Sequence, residues 1–165
     1  MAILRNLFFA GLAAVAVTAK QPTKAEGLAW LEAKKKEDGV ITLPSGLAYK
    51  VLKAGEGKEH PLVGTPCACH YAGTLIPQNG AEKGKEFDSS YKRGAPTTFA
   101  PNQVIAGWTE AMQLMVQGDK WEMYIPPNLA YGDRAMGQDI PAGSTLVFTM
   151  EIMEIKGATK PKVEL

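Results

Sequence analysis

The chain has 165 residues, 45% of them apolar, and a formal net charge of +1. That length and composition suit one globular domain with a real hydrophobic core. A charge so close to zero gives no electrostatic case for nucleic acid as a partner. Glycine (17) and proline (11) are frequent enough to announce many turns, hence many strands.

In chain order, residues 1–19 are expected to stand outside the fold. Arg5 precedes an unbroken apolar run, Leu7 to Val17, and Val17 and Ala19 place small residues before polar Lys20. This is the layout of a secretory signal peptide. The run falls well short of the roughly 20 residues that span a bilayer, so no stable membrane anchor is expected. Residues 20–39 read as a linker and a short helix, Leu28 to Asp38, with Leu28 and Leu31 on one side and Gly39 as its stop. So little apolar face suits a helix laid beside the domain better than a dimerisation arm, and a monomer is expected.

From Val40 to residue 157 the pattern is that of one domain. Leu47, Tyr49 and Val51 alternate onto one face. Cys67, Cys69 and Tyr71 share a face, with Ala68, His70 and Ala72 on the other. Glu86–Ser89 and Pro96–Ala100 read as further strand segments. The stretch QVIAGWTEAMQLM is the strongest helix, with Trp108, Ala111, Met112 and Met115 in one stripe. Trp121, Met123 and Ile125 alternate against Glu122 and Tyr124. Leu146, Phe148, Met150 and Ile152 do the same against Thr149 and Glu151. The fold class expected is α+β, an antiparallel sheet wrapped around one central helix, with a short helix before it. Residues 158–165 read as an exposed tail. Its end, Lys162-Val163-Glu164-Leu165, resembles the KDEL-type retrieval signals. Together with the leader this gives the endoplasmic reticulum lumen as the expected compartment, with a secreted or periplasmic location as the alternative.

Asp88 stands beside Phe87 and five residues before Arg93, the look of a working carboxylate. Nothing in the sequence offers it chemistry to serve. Cys67 and Cys69 lie two apart on one strand, a geometry too strained for a disulfide, so buried free thiols are expected. His60 precedes a proline in a loop, and His70 takes the face opposite the cysteines, so no metal site is expected. There is no phosphate-binding glycine loop, no nucleophile elbow and no paired-histidine motif, and no cofactor is expected. Instead Tyr71, Phe87, Phe99, Trp108, Tyr131 and Phe148 fall near strand ends, turns or a helix start. They either fill the core, as most aromatics do, or form an apolar cup suited to binding.

An ordered series of motifs decides between these. LPSGLAYKVL, HYAG, FDSS, QVIAGWTEA, NLAYGD and IPAGSTLVFTMEI follow one another at spacings that resemble the FKBP-type peptidyl-prolyl isomerases. The N-terminal part resembles the macrophage-infectivity-potentiator branch. The leader and tail resemble the endoplasmic-reticulum branch. The resemblance implies a pocket lined by Tyr71, Phe87, Val104, Ile105, Trp108, Tyr131, Ile140 and Phe148, with Trp108 as its floor. Asp88 would sit at the rim with Arg93 and Tyr71, and Phe99 would support it. Substrate carbonyls would meet the Tyr131 hydroxyl and the Ile105 N–H. The implied partners are proline-containing polypeptides and macrolide ligands. A non-catalytic binding module on the same fold is the alternative function. The chain departs from the family at Thr97, where an aromatic is common, and at Asp139, where an apolar residue is usual. It also carries a longer loop between residues 74 and 86, expected to be exposed and without a role.

Overall fold

The computed structural model describes residues 21–162. The expected leader and the last three residues of the retrieval-like tail lie outside them. Three α-helices and nine strands follow in chain order among the described residues. Helix α1 (Lys24–Lys34) comes first, then β1 (Val40–Thr42), β2 (Ala48–Lys53), β3 (Glu59–Pro61) and β4 (Cys67–Leu75). Next are β5 (Glu86–Ser89), the short α2 (Ser90–Arg93), β6 (Thr97–Phe99) and α3 (Ala106–Met112). β7 (Lys120–Ile125), β8 (Leu146–Ile155) and β9 (Thr159–Pro161) complete the order. The main sheet runs β1-β2-β7-β8-β4-β5, and β6 pairs with the start of β4. All pairings are antiparallel, as the α+β reading requires.

Helix α3 lies against one face of this sheet. Trp108, Ala111, Met112 and the following Met115 pack with Leu47, Cys67, Cys69, Met123, Phe148, Met150 and Ile152. Close approach is possible because residue 107 is glycine. A Cβ there would meet Ile125 Cγ2 at 2.7 Å, closer than carbon atoms pack. Both cysteines are buried free thiols, and burial pushes the Cys67 thiol up to about 11.

Helix α1 covers the other face. It begins earlier than the sequence pattern suggests, because Thr23 caps it. The Thr23 hydroxyl accepts from the Glu26 N–H, and the Glu26 carboxylate accepts from the Thr23 N–H at 2.7 Å. That capping box sets the start, and the helix ends at Lys34 rather than running to Asp38 with Gly39 as its stop. Gly27 and Leu31 face inward, while Leu28, expected beside Leu31, is 40% exposed. Leu31 packs with Ala48, Ile76, Tyr124 and Val147. This second core explains why Tyr124, expected on the polar side of β7, is buried.

Three further expectations are corrected. Val51 lies on the face of Leu47 and Tyr49 but is 39% exposed, because β2 runs beyond the end of α3. His60 is not in a loop. It sits on β3, buried, with Nδ1 3.0 Å from the Met115 carbonyl. Part of the segment expected as a free tail is a strand: Thr159–Pro161 pairs with Glu59–Pro61 as β9, although its side chains largely face solvent.

Replacing Leu31 with alanine should lower stability by about 2–4 kcal/mol, whereas Leu28→Ala should change it by less than about 0.5 kcal/mol. Urea unfolding of the two variants checks the orientation of α1.

Candidate active site

Every residue of the expected pocket comes to one open cavity of about 650 Å³, except that Arg93 stands behind its rim. Tyr71 comes from β4, Phe87 and Asp88 from β5, and Phe99 from the end of β6. Val104 and Ile105 precede α3, Trp108 lies on it, Tyr131 and Ile140 belong to the β7–β8 connection, and Phe148 is on β8. Gln103, the first residue of the QVIAGWTEA motif, also lines the cavity, a role the sequence did not assign to it. Its carboxamide oxygen accepts from the Ala100 N–H at 2.8 Å and so holds the turn that delivers Val104 and Ile105.

Trp108 is the centre. Its ring lies 5.1 Å from Tyr71, 5.2 Å from Phe99 and 4.8 Å from Phe148. The Tyr71 and Phe148 contacts are near perpendicular, the arrangement ring quadrupoles favour. Phe87 meets Phe148 in the same way at 5.5 Å. Gly73 makes room for that pair: a Cβ there would reach Phe148 at 2.4 Å and Phe87 at 2.7 Å. Gly73 closes the HYAG motif, but its role is not visible there, since its φ is not positive and the constraint is a close approach across strands.

At the rim, the Tyr71 hydroxyl donates to Asp88 Oδ2 at 2.6 Å and accepts from Arg93 Nη2 at 2.7 Å. Arg93 Nη1 closes the triangle on Asp88 Oδ1. Helix α2 brings Arg93 back: Ser89 caps it and Gly94, at φ 76°, ends it. Ser90, fully buried, ties α2 to β4. Its hydroxyl accepts from the Tyr71 N–H at 2.7 Å and also contacts the Tyr71 carbonyl and His70 Nδ1. Burial alone would raise the Asp88 pKa, but the bonds from Tyr71 and Arg93 and the guanidinium charge outweigh it and hold the carboxyl below its usual range. Burial, then the bond to Asp88, raises the Tyr71 phenol. Asp88 is therefore charged and Tyr71 neutral throughout the physiological range.

Two donors remain available. Neither the Tyr131 hydroxyl nor the Ile105 N–H finds an acceptor among the described residues. The Trp108 indole N–H is buried without a partner. No group of three or more His, Cys, Asp or Glu side chains gathers to hold a metal among the described residues. Lys85, from the loop expected to have no role, pairs with Asp139 at 2.7 Å, so two departures from the family pattern meet beside Ile140. A larger cleft of about 850 Å³, between the 53–59 segment and the end of β8, has no aromatic lining and lacks this convergence of apolar walls and donors.

The chain matches the family described as FKBP-type peptidyl-prolyl cis-trans isomerase over residues 57–153. It matches the domain described as amino terminal to FKBP-type peptidyl-prolyl isomerase over residues 3–51. The macrophage infectivity potentiator of Trypanosoma cruzi is 44% identical over 137 residues, covering 83% of this chain and 67% of that protein. The outer membrane protein MIP of Legionella longbeachae is 44% identical over 84% of this chain and 56% of its own length. The crystal structure of FkpA from Escherichia coli superposes with a TM-score of 0.72 at 41% identity, over 85% of this chain and 60% of that one. The chain thus spans between about half and two thirds of the length of most of the curated relatives it matches.

The rim geometry makes a pH prediction. A depressed folded-state pKa means that the Asp88 contribution is complete above the unfolded value, near 3.9, and is lost as pH falls through the folded one. Carboxyl-carbon NMR should place the Asp88 midpoint below about 3.9; a midpoint above about 4.5 would contradict the arrangement.

Proposed function

The chain belongs to the FKBP-type peptidyl-prolyl cis-trans isomerase family, and we propose that it is an active isomerase turning X–Pro bonds of polypeptides in the Trp108 cavity. The observation that carries this is the ring of aromatics around Trp108, complete and open on one side, with two donors left unspent in its walls.

Rotation about an X–Pro bond breaks amide resonance, with a barrier of about 18–20 kcal/mol. Unaided it takes tens to hundreds of seconds. The planar amide is the more polar state: its carbonyl carries more negative charge than that of the twisted bond. An apolar cavity therefore penalises the planar ground state relative to the twisted one. The proline ring would rest on the Trp108 face, walled by Tyr71, Phe99 and Phe148. The Tyr131 hydroxyl and the Ile105 N–H would donate to backbone carbonyls flanking the turning bond and hold the chain while it rotates. Asp88 and Arg93 act on Tyr71. They fix its ring against Trp108 and transfer no proton. A millionfold acceleration would need about 8 kcal/mol, within what orientation and desolvation supply together.

Macrolide ligands of the family would occupy the same cavity, and the working form is a monomer. An exported protein fits the relative from Legionella longbeachae, which is named an outer membrane protein. The finer location, the endoplasmic reticulum lumen, rests on the leader pattern and the Lys162–Leu165 tail alone. Deleting those four residues should release the protein from cells if the tail is an address; unchanged retention would contradict it.

Relaxation of a short X–Pro peptide should accelerate in proportion to added protein, and a macrolide should block it. Trp108→Leu and Phe148→Ala should each lower kcat/KM by about a hundredfold with the fold retained, as expected when packed, desolvating contacts are lost. Asp88→Ala should cost less than about tenfold, since it loosens Tyr71 without removing a reacting group. A folded protein that binds X–Pro peptides without accelerating them would be a binding module.

A further inference from the structure

The face of the sheet that holds α3 opens a second time, beyond that helix's C-terminal end. There Tyr49, Val51 and Trp121 from the sheet meet Leu114, with Lys160 and Lys162 on the opposite bank, around a groove of about 330 Å³. None of these residues belongs to the Trp108 cavity. Tyr49 and Trp121 are stacked face to face, 4.0 Å apart and 4° from parallel, which gives the groove a rigid aromatic floor. Val51, on the register position opposite Trp121, is left in solvent.

The exposed charges around this floor are both positive, those of Lys160 and Lys162, and one acid, Asp119, lies buried in its wall. Lys160 and Lys162 make no ion pair among the described residues. Asp119, the acid in the groove wall, is buried and committed: one carboxylate oxygen accepts from the Gly55 N–H at 2.7 Å and the other from the Val116 N–H at 2.9 Å. His60 faces the Met115 carbonyl, an acceptor only, so its Nδ1 carries the proton. The Trp121 indole N–H is buried without a partner. An apolar floor flanked by two uncommitted ammonium groups complements a ligand that is apolar and anionic at once. The lysines are held in place because β9 is paired with β3, and the Lys162 N–H donates to the Lys58 carbonyl at 2.9 Å.

We propose that this groove is a second polypeptide-binding site, selective for short acidic–apolar segments and indifferent to proline. The choice of a polypeptide as ligand rests on the isomerase reading; the ligand's charge and apolarity rest on the groove alone. One aromatic or aliphatic side chain lies against Val51, Tyr49 and Trp121, and a neighbouring carboxylate meets Lys160 or Lys162. A client held here raises the effective concentration of its prolines at the Trp108 cavity without any change in the catalytic step.

The test uses a fluorescein-labelled, proline-free peptide of alternating glutamate with phenylalanine and leucine, read by anisotropy against the full protein. Binding should saturate and should persist with an excess of an unlabelled X–Pro tetrapeptide. Reversing both lysines, Lys160→Glu with Lys162→Glu, should weaken it about tenfold or more, while X–Pro tetrapeptide isomerisation stays at the parent rate. Val51→Asp, at an exposed position, is the second variant and should weaken binding without touching either lysine. Four results overturn the proposal: no binding at millimolar protein, competition by the X–Pro peptide, indifference to both variants, or binding only after residues 163–165 are removed. The last would assign the groove to the chain's own end. Because the probe contains no proline, a protein with no isomerase activity would leave this outcome readable.

Discussion

The contact between Trp108 and the rings of Tyr71, Phe99 and Phe148 is the constraint on which the rest depends. It joins α3 to strands β4, β6 and β8 in one cluster. The same rings that would receive a proline are thus the inner wall of the fold. Two glycines make this possible. Gly107 lets α3 approach Ile125, and Gly73 leaves space for Phe87 against Phe148. A cavity built from core side chains is rigid and dry at little added cost, because the packing that stabilises the domain also orients the site.

The charged group at the rim serves this packing. Tyr71 needs its ring against Trp108 and its hydroxyl satisfied, and Asp88 with Arg93 supplies both conditions. A partly buried carboxylate beside an arginine has the look of acid–base machinery. Its depressed pKa argues otherwise, since a group charged at all working pH values is poorly matched to moving protons near neutrality. Ser90, one helical turn before Arg93 ends α2, extends the same support to the Tyr71 backbone.

Much of this was legible in the sequence because period-two alternation and short ordered motifs report local structure. The strands around Tyr71, Trp121 and Phe148 and the stripe of α3 follow from such patterns, whereas the pocket aromatics were implied by the resemblance of the ordered motifs to the FKBP family. What escaped depends on distant partners. The start of α1 was misread because a capping box at Thr23 and Glu26 outweighs a weak apolar stripe. Burial of Tyr124 needs α1 above it. β9 is polar and short, and only its pairing with residues 59–61 makes it a strand. The roles of Gly73 and of the Lys85–Asp139 pair rest on contacts between segments far apart in the chain, which no local window shows.

The central claim is that the site works by orientation and desolvation, with no proton in flight. The solvent deuterium isotope effect on kcat/KM for an X–Pro peptide tests it most directly. The account predicts a ratio near one, because no bond to an exchangeable hydrogen breaks while the amide turns. A ratio of about 2 or more, the mark of a proton moving in the rate-limiting step, would contradict it and return Asp88 and Tyr71 to the centre of the chemistry.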